Sequence, residues 1–197
     1  MKHILLVLVL AFSLLGISVA QESEKTKIAN ATLERMRQLD LLNQLIPLVM
    51  TKEQIRKLLP AIEKARRDVK IQQAEEADLI SREAARVQKA VEDGINKGDV
   101  PDVKLLRDLN ALIRFMTMKR DAVASDNTKD VMTAMKATLN AGQLKAAGNS
   151  LNPRVYETKV KPEEMKDDDR LELFVREIML DPLAYDILVK MQAGARG

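Results

Sequence analysis

The chain has 197 residues, with 32 Lys and Arg against 29 Asp and Glu and a formal net charge of +3 at pH 7. It has no Cys and no Trp, and its one His, His3, lies near the N-terminus; the rest of the chain therefore lacks Cys and His metal sites, Ser-His and Cys-His nucleophile pairs, and disulfides. Aromatics at 3% supply no stacking platform for single-stranded nucleic acid, and 46% hydrophobic with 31% charged residues, beside only seven Gly and six Pro, directs the chain toward helices.

Lys2 and His3 precede an apolar run from Ile4 to Ile17, broken only by Ser13 and Gly16, and Ser18-Val19-Ala20 then places small residues ahead of Gln21. This is the layout of a secretory signal peptide cleaved after Ala20, because the run is shorter than the roughly 20 apolar residues that span a bilayer. Export without cysteine fits a bacterial envelope, so a periplasmic location is expected. Cleavage leaves 31 basic residues (32 less Lys2) against 29 acidic ones, and residues 21–197 are expected to form one all-α domain.

Apolar residues recur at three and four spacing almost throughout, and no stretch alternates as a strand does. A first helix is expected from Ser23 to Ile46, with Ile28, Met36, Leu39, Leu42, Leu45 and Ile46 near one face and Pro47 as its stop. A second helix begins at Thr51 and runs to about Asp93 on Ile55, Leu58, Ile62, Ala65, Val69, Ile80, Ala84, Val87 and Val91, with a kink expected at Pro60. At about 1.5 Å per residue it reaches roughly 60 Å. Gly94 to Pro101 reads as a turn. Asp102 starts a third helix on Val103, Leu106, Leu109, Ile113, Met116, Val123, Met132 and Met135, with Ser125 to Thr128 as a candidate interruption. The second and third helices make a long antiparallel hairpin. A short helix from Ala141 to Ala147, a link through Pro153 and Pro162, and helices over Glu163 to Leu180 and Pro182 to Met191 complete the reading.

Two of these starts share one layout. Met50-Thr51-Lys52-Glu53-Gln54 and Leu139-Asn140-Ala141-Gly142-Gln143 each run hydrophobic residue, capping residue, two spacers, Gln. The Thr51 or Asn140 side chain can accept from the third helical N–H while the Gln side chain reaches back to the cap, and Met50 with Ile55 or Leu139 with Leu144 staples the start. The layout resembles the Leu-Thr-x-x-Gln signature, usually present twice, of the LTxxQ periplasmic family of Spy- and CpxP-like helical chaperone and stress-sensor proteins. Met50 stands where that signature has Leu, and Asn140 where it has Thr.

The resemblance implies a bent hairpin that dimerises into a cradle and holds unfolded envelope proteins without ATP on a basic and apolar face. In this sequence that face would comprise Arg56, Lys57, Lys64, Arg66, Arg67 and Lys70 beside Ile55, Leu59 and Ile62. Some relatives sense metals through histidines; with none after Ala20, that activity is not carried over. Charge distribution points to the same helix, since Thr51 to Lys70 carries seven basic and three acidic residues whereas Glu163 to Asp181 carries eight acidic and three basic ones.

Three-and-four spacing makes most of Met116, Met118, Met132 and Met135 core rather than a copper site, and Asp167-Asp168-Asp169 reads as the negative first turn of a helix rather than a calcium loop. No catalytic residue, metal or cofactor is expected. The sequence therefore reads as a non-enzymatic protein, expected to homodimerise and to bind unfolded or envelope proteins as an ATP-independent chaperone or stress adaptor. The alternatives are a structural helical scaffold or a peripheral protein whose run from Lys64 to Lys70 contacts anionic membrane surfaces. No nucleic-acid partner is expected.

Overall fold

The computed structural model describes residues 24–156 and 160–194. The signal peptide reading of Met1 to Ala20, and Ser23 as first helical residue, lie outside the described residues. Among the described residues there are helices and no strands, so the fold is all-α. The chain divides into two compact units, Met1–Leu39 and Asp40–Gly197, and the boundary falls within the first helix, α1, Glu24–Leu45.

In the first unit, α1 exposes Ile28, Leu33, Met36 and Leu39, so the stripe read along this helix is not packed there. In the second unit the end of α1 buries Leu41 and Leu45. Pro47 does not stop the chain in an open loop. Ile46–Leu48 form a 3₁₀ turn with the proline in its first positions, where a missing N–H costs nothing.

Helix α2 covers Lys52–Lys97, 46 residues or about 70 Å, and takes in Gly94 to Lys97, the first half of the segment expected to turn. It ends one glycine later than the sequence suggests, at Gly98, whose φ of 73° lets its N–H reach back to the carbonyls of Asp93 and Gly94. Pro60 lies inside α2 without ending it. Its position is exposed, and there water can satisfy the carbonyl left without a donor.

Helix α3, Val103–Thr138, starts on Asp102, whose Oδ1 accepts from the Lys104 N–H at 2.9 Å. It is continuous through Ser125 to Thr128, which corrects the expected interruption. The polar groups there have partners: the Thr128 hydroxyl donates to the Ala124 carbonyl at 2.7 Å, and Asn127 Nδ2 donates across to the Ala65 carbonyl of α2 at 3.3 Å. After α4, Ala141–Ser150, and a 3₁₀ turn at Pro153–Val155, α5 occupies Asp167–Phe174 and continues as a π turn over Val175–Met179. The start expected at Glu163 moves to Asp167, where Asp169 Oδ2 accepts from the Lys166 N–H at 2.9 Å. Asp181 caps α6, Pro182–Ala193, by accepting from the Leu183 N–H at 2.8 Å.

The core of the second unit lies at one end of the α2–α3 hairpin. Ile55, Leu58, Ile62 and Ala65 of α2 meet Val131 and Met135 of α3, and the end of α1, α4, α5, the π turn and α6 close over them with Leu45, Leu48, Ala147, Phe174, Val175, Met179 and Leu188. Beyond Arg66 and Asn127, among the described residues of this unit, the hairpin continues as two helices alone. Its seam there buries Leu105, Met116, Gln72 and Glu76, and every buried side-chain nitrogen and oxygen among the described residues has a partner.

Candidate functional site

The two capped helix starts are brought together. At α2 the Gln54 N–H donates to Thr51 Oγ1 at 3.1 Å and the Thr51 N–H to Gln54 Oε1 at 2.9 Å; at α4 the Gln143 N–H donates to Asn140 Oδ1 at 2.9 Å and the Asn140 N–H to Gln143 Oε1 at 3.0 Å. Both are complete capping boxes. Met50, Leu139 and Ile55 are buried and Leu144 packs against the same core, so the residues expected to staple both starts all lie in or against it.

The remaining amide protons then join the boxes to each other. Gln54 Nε2 donates to Gln143 Oε1 at 2.8 Å and Gln143 Nε2 donates to Gln54 Oε1 at 3.1 Å, across 89 residues of chain. Each amide also donates to the backbone beside the other box: Gln54 to the Thr138 carbonyl at 3.2 Å, and Gln143 to the Leu48 carbonyl at 3.0 Å. The Gln143 contact, extended to the Val49 carbonyl at 3.4 Å, holds a bend in which Val49 has φ of 47°, a left-handed conformation unfavourable for a β-branched residue. No sequence pattern announces this pairing, although two boxes of the same layout are its one available signal. It is an organising device with no reactive group.

The expected client-binding face is a different matter. Ile55 and Ile62 are each 1% exposed and Leu59 is half-buried, because α6 packs on that side of α2. As contacts for a client in the folded state, Ile55 and Ile62 are therefore corrected to core. The basic residues around them are mostly partnered. Arg56 and Lys57 share Glu53 at 2.7 and 3.7 Å, Lys64 bridges Asp68 and Asp130 at 2.9 and 3.0 Å, and Arg67 meets Glu63 at 3.3 Å. Arg66 reaches Asp186 at 3.2 Å and lies over the Tyr185 ring at 4.4 Å, fastening α6 to α2. The Glu53 carboxyl sits below its ordinary pKa because Arg56 hydrogen-bonds it and adds its positive charge. Lys70 alone of the set has no ion pair among the described residues.

An apolar and basic surface does occur, on α3. Val103, Leu106, Arg107, Asn110, Ala111, Arg114, Phe115 and Met118 line an open depression of about 580 Å³ on the side of that helix turned away from α2. Phe115 is 49% and Met118 71% exposed, and neither Arg107 nor Arg114 has an ion-pair partner among the described residues. Periodicity had picked Val103 and Leu106 as inward positions of α3. It passed over Phe115 and Met118, because a helix with apolar residues on several faces gives no single direction to its stripe.

The methionines do not assemble a ligand set: Met135 is in the core, Met116 in the helix seam, and Met118 on the outer face. Asp168 of the acidic first turn pairs with Lys136 at 2.8 Å, and Asp169 is the cap acceptor described above. Compared with protein-family models, curated proteins and solved structures, the chain matches none.

Proposed function

We propose that this protein acts by binding polypeptides, without ATP and without catalysis, as a chaperone or envelope-stress adaptor of the LTxxQ type, exported by its first twenty residues to a bacterial periplasm. The observation that carries the reading is the outer face of α3, where exposed Phe115 and Met118 lie among two arginines with no ion pair. Such a surface suits segments that are both apolar and acidic. Each exposed ion pair contributes only about 0 to 1 kcal/mol, so binding there is weak and reversible, as a holding activity requires. The paired Gln boxes support the family reading by giving the doubled motif one structural purpose, the joining of two helix starts.

The test is light scattering of two unrelated unfolded clients with a several-fold excess of the exported protein, wild type beside Arg107→Glu/Arg114→Glu and Arg56→Glu/Lys57→Glu. Wild type is expected to slow aggregation, the first variant to lose most of that effect, and the second to keep it. Equal suppression by wild type and Arg107→Glu/Arg114→Glu moves the site elsewhere. No suppression by wild type removes the chaperone reading and favours a scaffold with one fixed partner.

A further inference from the structure

The residues that line the depression on the outer face of α3 form two complete ridges of that helix. Val103, Arg107, Ala111 and Phe115 follow one another at intervals of four, and so do Leu106, Asn110, Arg114 and Met118. Side chains four apart lie one above the other on a helix, so each set is a continuous ridge and the depression is the groove between them. From Val103 to Met118 the groove runs about 22 Å along α3. Its ridges are lowest at mid-length, at the short side chains of Asn110 and Ala111. With Arg107 and Arg114 these two have the i, i+3, i+4, i+7 spacing of the four residues that make a hole for one side chain of a facing helix.

A groove of this form suits a helix. A ridge of the incoming helix, repeating every four or every three residues, drops between the two ridges of α3 and sets the axes about 50° or about 20° apart. An extended segment fits it less well. Every lining group is a side chain, and past the first turn of α3 the backbone N–H and carbonyl groups bond one another, so an extended segment finds no edge to pair with. A helix arrives with its own backbone bonds made. Charge narrows the class further. Arg107 stands on one ridge and Arg114 on the other, about 10 Å apart along the axis, and the lining contains no carboxylate. Asp108, beside Arg107 in sequence, is held by Lys104 and Arg86, and Glu75 by Lys119, along the charged side of the hairpin. Among the described residues the two arginines are left without an ion pair.

We propose that the ligand of this face is an acidic amphipathic helix of a partner polypeptide. Its apolar ridge seats in the groove, and Asp or Glu on the two flanks of that ridge meet Arg107 and Arg114. The inference rests on the polypeptide-binding reading of the same face and deepens it by naming the conformation and the charge of what is bound. Arginine suits the role because its guanidinium stays charged and offers a carboxylate two parallel donors, while its stem covers apolar surface beside the groove. Leu106 on one ridge, and Phe115 and Met118 at the far end of the groove, supply the apolar contacts. A segment that becomes helical only when bound loses conformational freedom as it docks, which keeps the complex weak and reversible.

Fluorescence anisotropy with the exported protein and three labelled peptides of about 18 residues, long enough to span the groove, tests the proposal. The first peptide carries Leu at intervals of three and four with Glu on both flanks, the second has two central residues exchanged for Pro, and the third has every Glu exchanged for Lys. The first should bind and gain helicity by circular dichroism, and the other two should bind at least about tenfold more weakly. Ala111→Leu, at an exposed position, should weaken the first peptide about tenfold by filling the groove where its ridges are lowest, and Arg107→Glu/Arg114→Glu should weaken it by about tenfold or more. Ala77→Leu, exposed on α2, should leave it unchanged. Equal binding of the first two peptides, or binding that Ala111→Leu does not alter, overturns the proposal. So does sedimentation with vesicles of phosphatidylglycerol and phosphatidylcholine that Arg107→Glu/Arg114→Glu abolishes, with no peptide bound, which would assign the face to a membrane. If no peptide binds while the wild type still suppresses client aggregation and Arg107→Glu/Arg114→Glu does not, the helix inference falls and the polypeptide-binding reading stands. If the wild type neither binds a peptide nor suppresses either client, both fall together.

Discussion

The two ends of the α2–α3 hairpin are made from the same pair of helices and differ in what lies on them. Near the helix starts, residues of α2 and α3 meet a third layer of α4, α5, the π turn and α6, and side chains such as Leu58, Val131 and Met135 are fully enclosed. Past Arg66 there is no third layer among the described residues of this unit, and the seam is narrow. It relies on Leu105, Met116 and a polar group in which Arg120 binds Glu76 through three hydrogen bonds of 2.6 to 3.0 Å while Gln72 donates to the same carboxylate. Helix continuity therefore does not imply uniform stability. An isolated pair of helices buries one stripe of each, and a covered pair buries two.

The largest effect that separates the two regions should come from one substitution made in both. Ile62→Ala in the enclosed end is expected to cost about 2 to 5 kcal/mol in urea unfolding, as for other buried Ile and Leu truncations. Ile71→Ala, on the charged side of the bare end, should stay within about 0.5 kcal/mol. Similar losses at the two positions would mean that the bare end is enclosed by something on its charged side.

A smaller loss tests how the enclosed end is tied. Thr51→Ala and Asn140→Ala should each cost about 1 kcal/mol through loss of an N-cap acceptor. Because Gln54 and Gln143 hold each other, the double variant Gln54→Ala/Gln143→Ala should depart from the sum of its single variants by at least about 0.5 kcal/mol, whereas residues without a shared contact add. Strict additivity would show that the boxes cap two helices without joining them.

The smallest effect is electrostatic and belongs to the far end of α2. The Asp93 carboxyl is lowered from 3.8 to about 2 because Lys89 and Lys97 hydrogen-bond it, and their charges act in the same direction. A carboxyl with a depressed folded value contributes stability that is present above its unfolded value and is lost as pH falls through the folded one. The last turn of α2 should thus loosen as pH drops from about 4 toward 2. A carbon-13 titration of Asp93 with a midpoint near 3.8 would show the lysine contacts to be unimportant in solution.

What was readable in the sequence was mainly local. Thr51, Asp102, Asn140 and Asp181 announce helix starts because a cap contacts a donor two or three residues away, and no distant residue is needed to complete it. Helix ends were read less well. Gly94 resembled a stop, yet the helix uses Gly98, since only that glycine takes the left-handed conformation. Ser125 to Thr128 resembled a break because Ser, Asp, Asn and Thr bond locally in turns; here Asn127 finds its partner at Ala65, in another helix.

The candidate surfaces show the same division more sharply. By itself the sequence determined an all-α chain, a long hairpin and two matched capping boxes, because helical periodicity and capping are short-range properties of the backbone. Only the tertiary structure decided that Gln54 and Gln143 meet, that Ile55 and Ile62 are core while Ile80 and Ile113 are bare, and that Arg66 fastens α6 while Arg107 and Arg114 face outward. The cause is where the last helix lands. Three apolar stripes of similar spacing compete for burial, and the chain from Asp167 onward covers one length of one of them. The spacing of residues within a stripe carries no information about a segment that returns to it more than a hundred residues later.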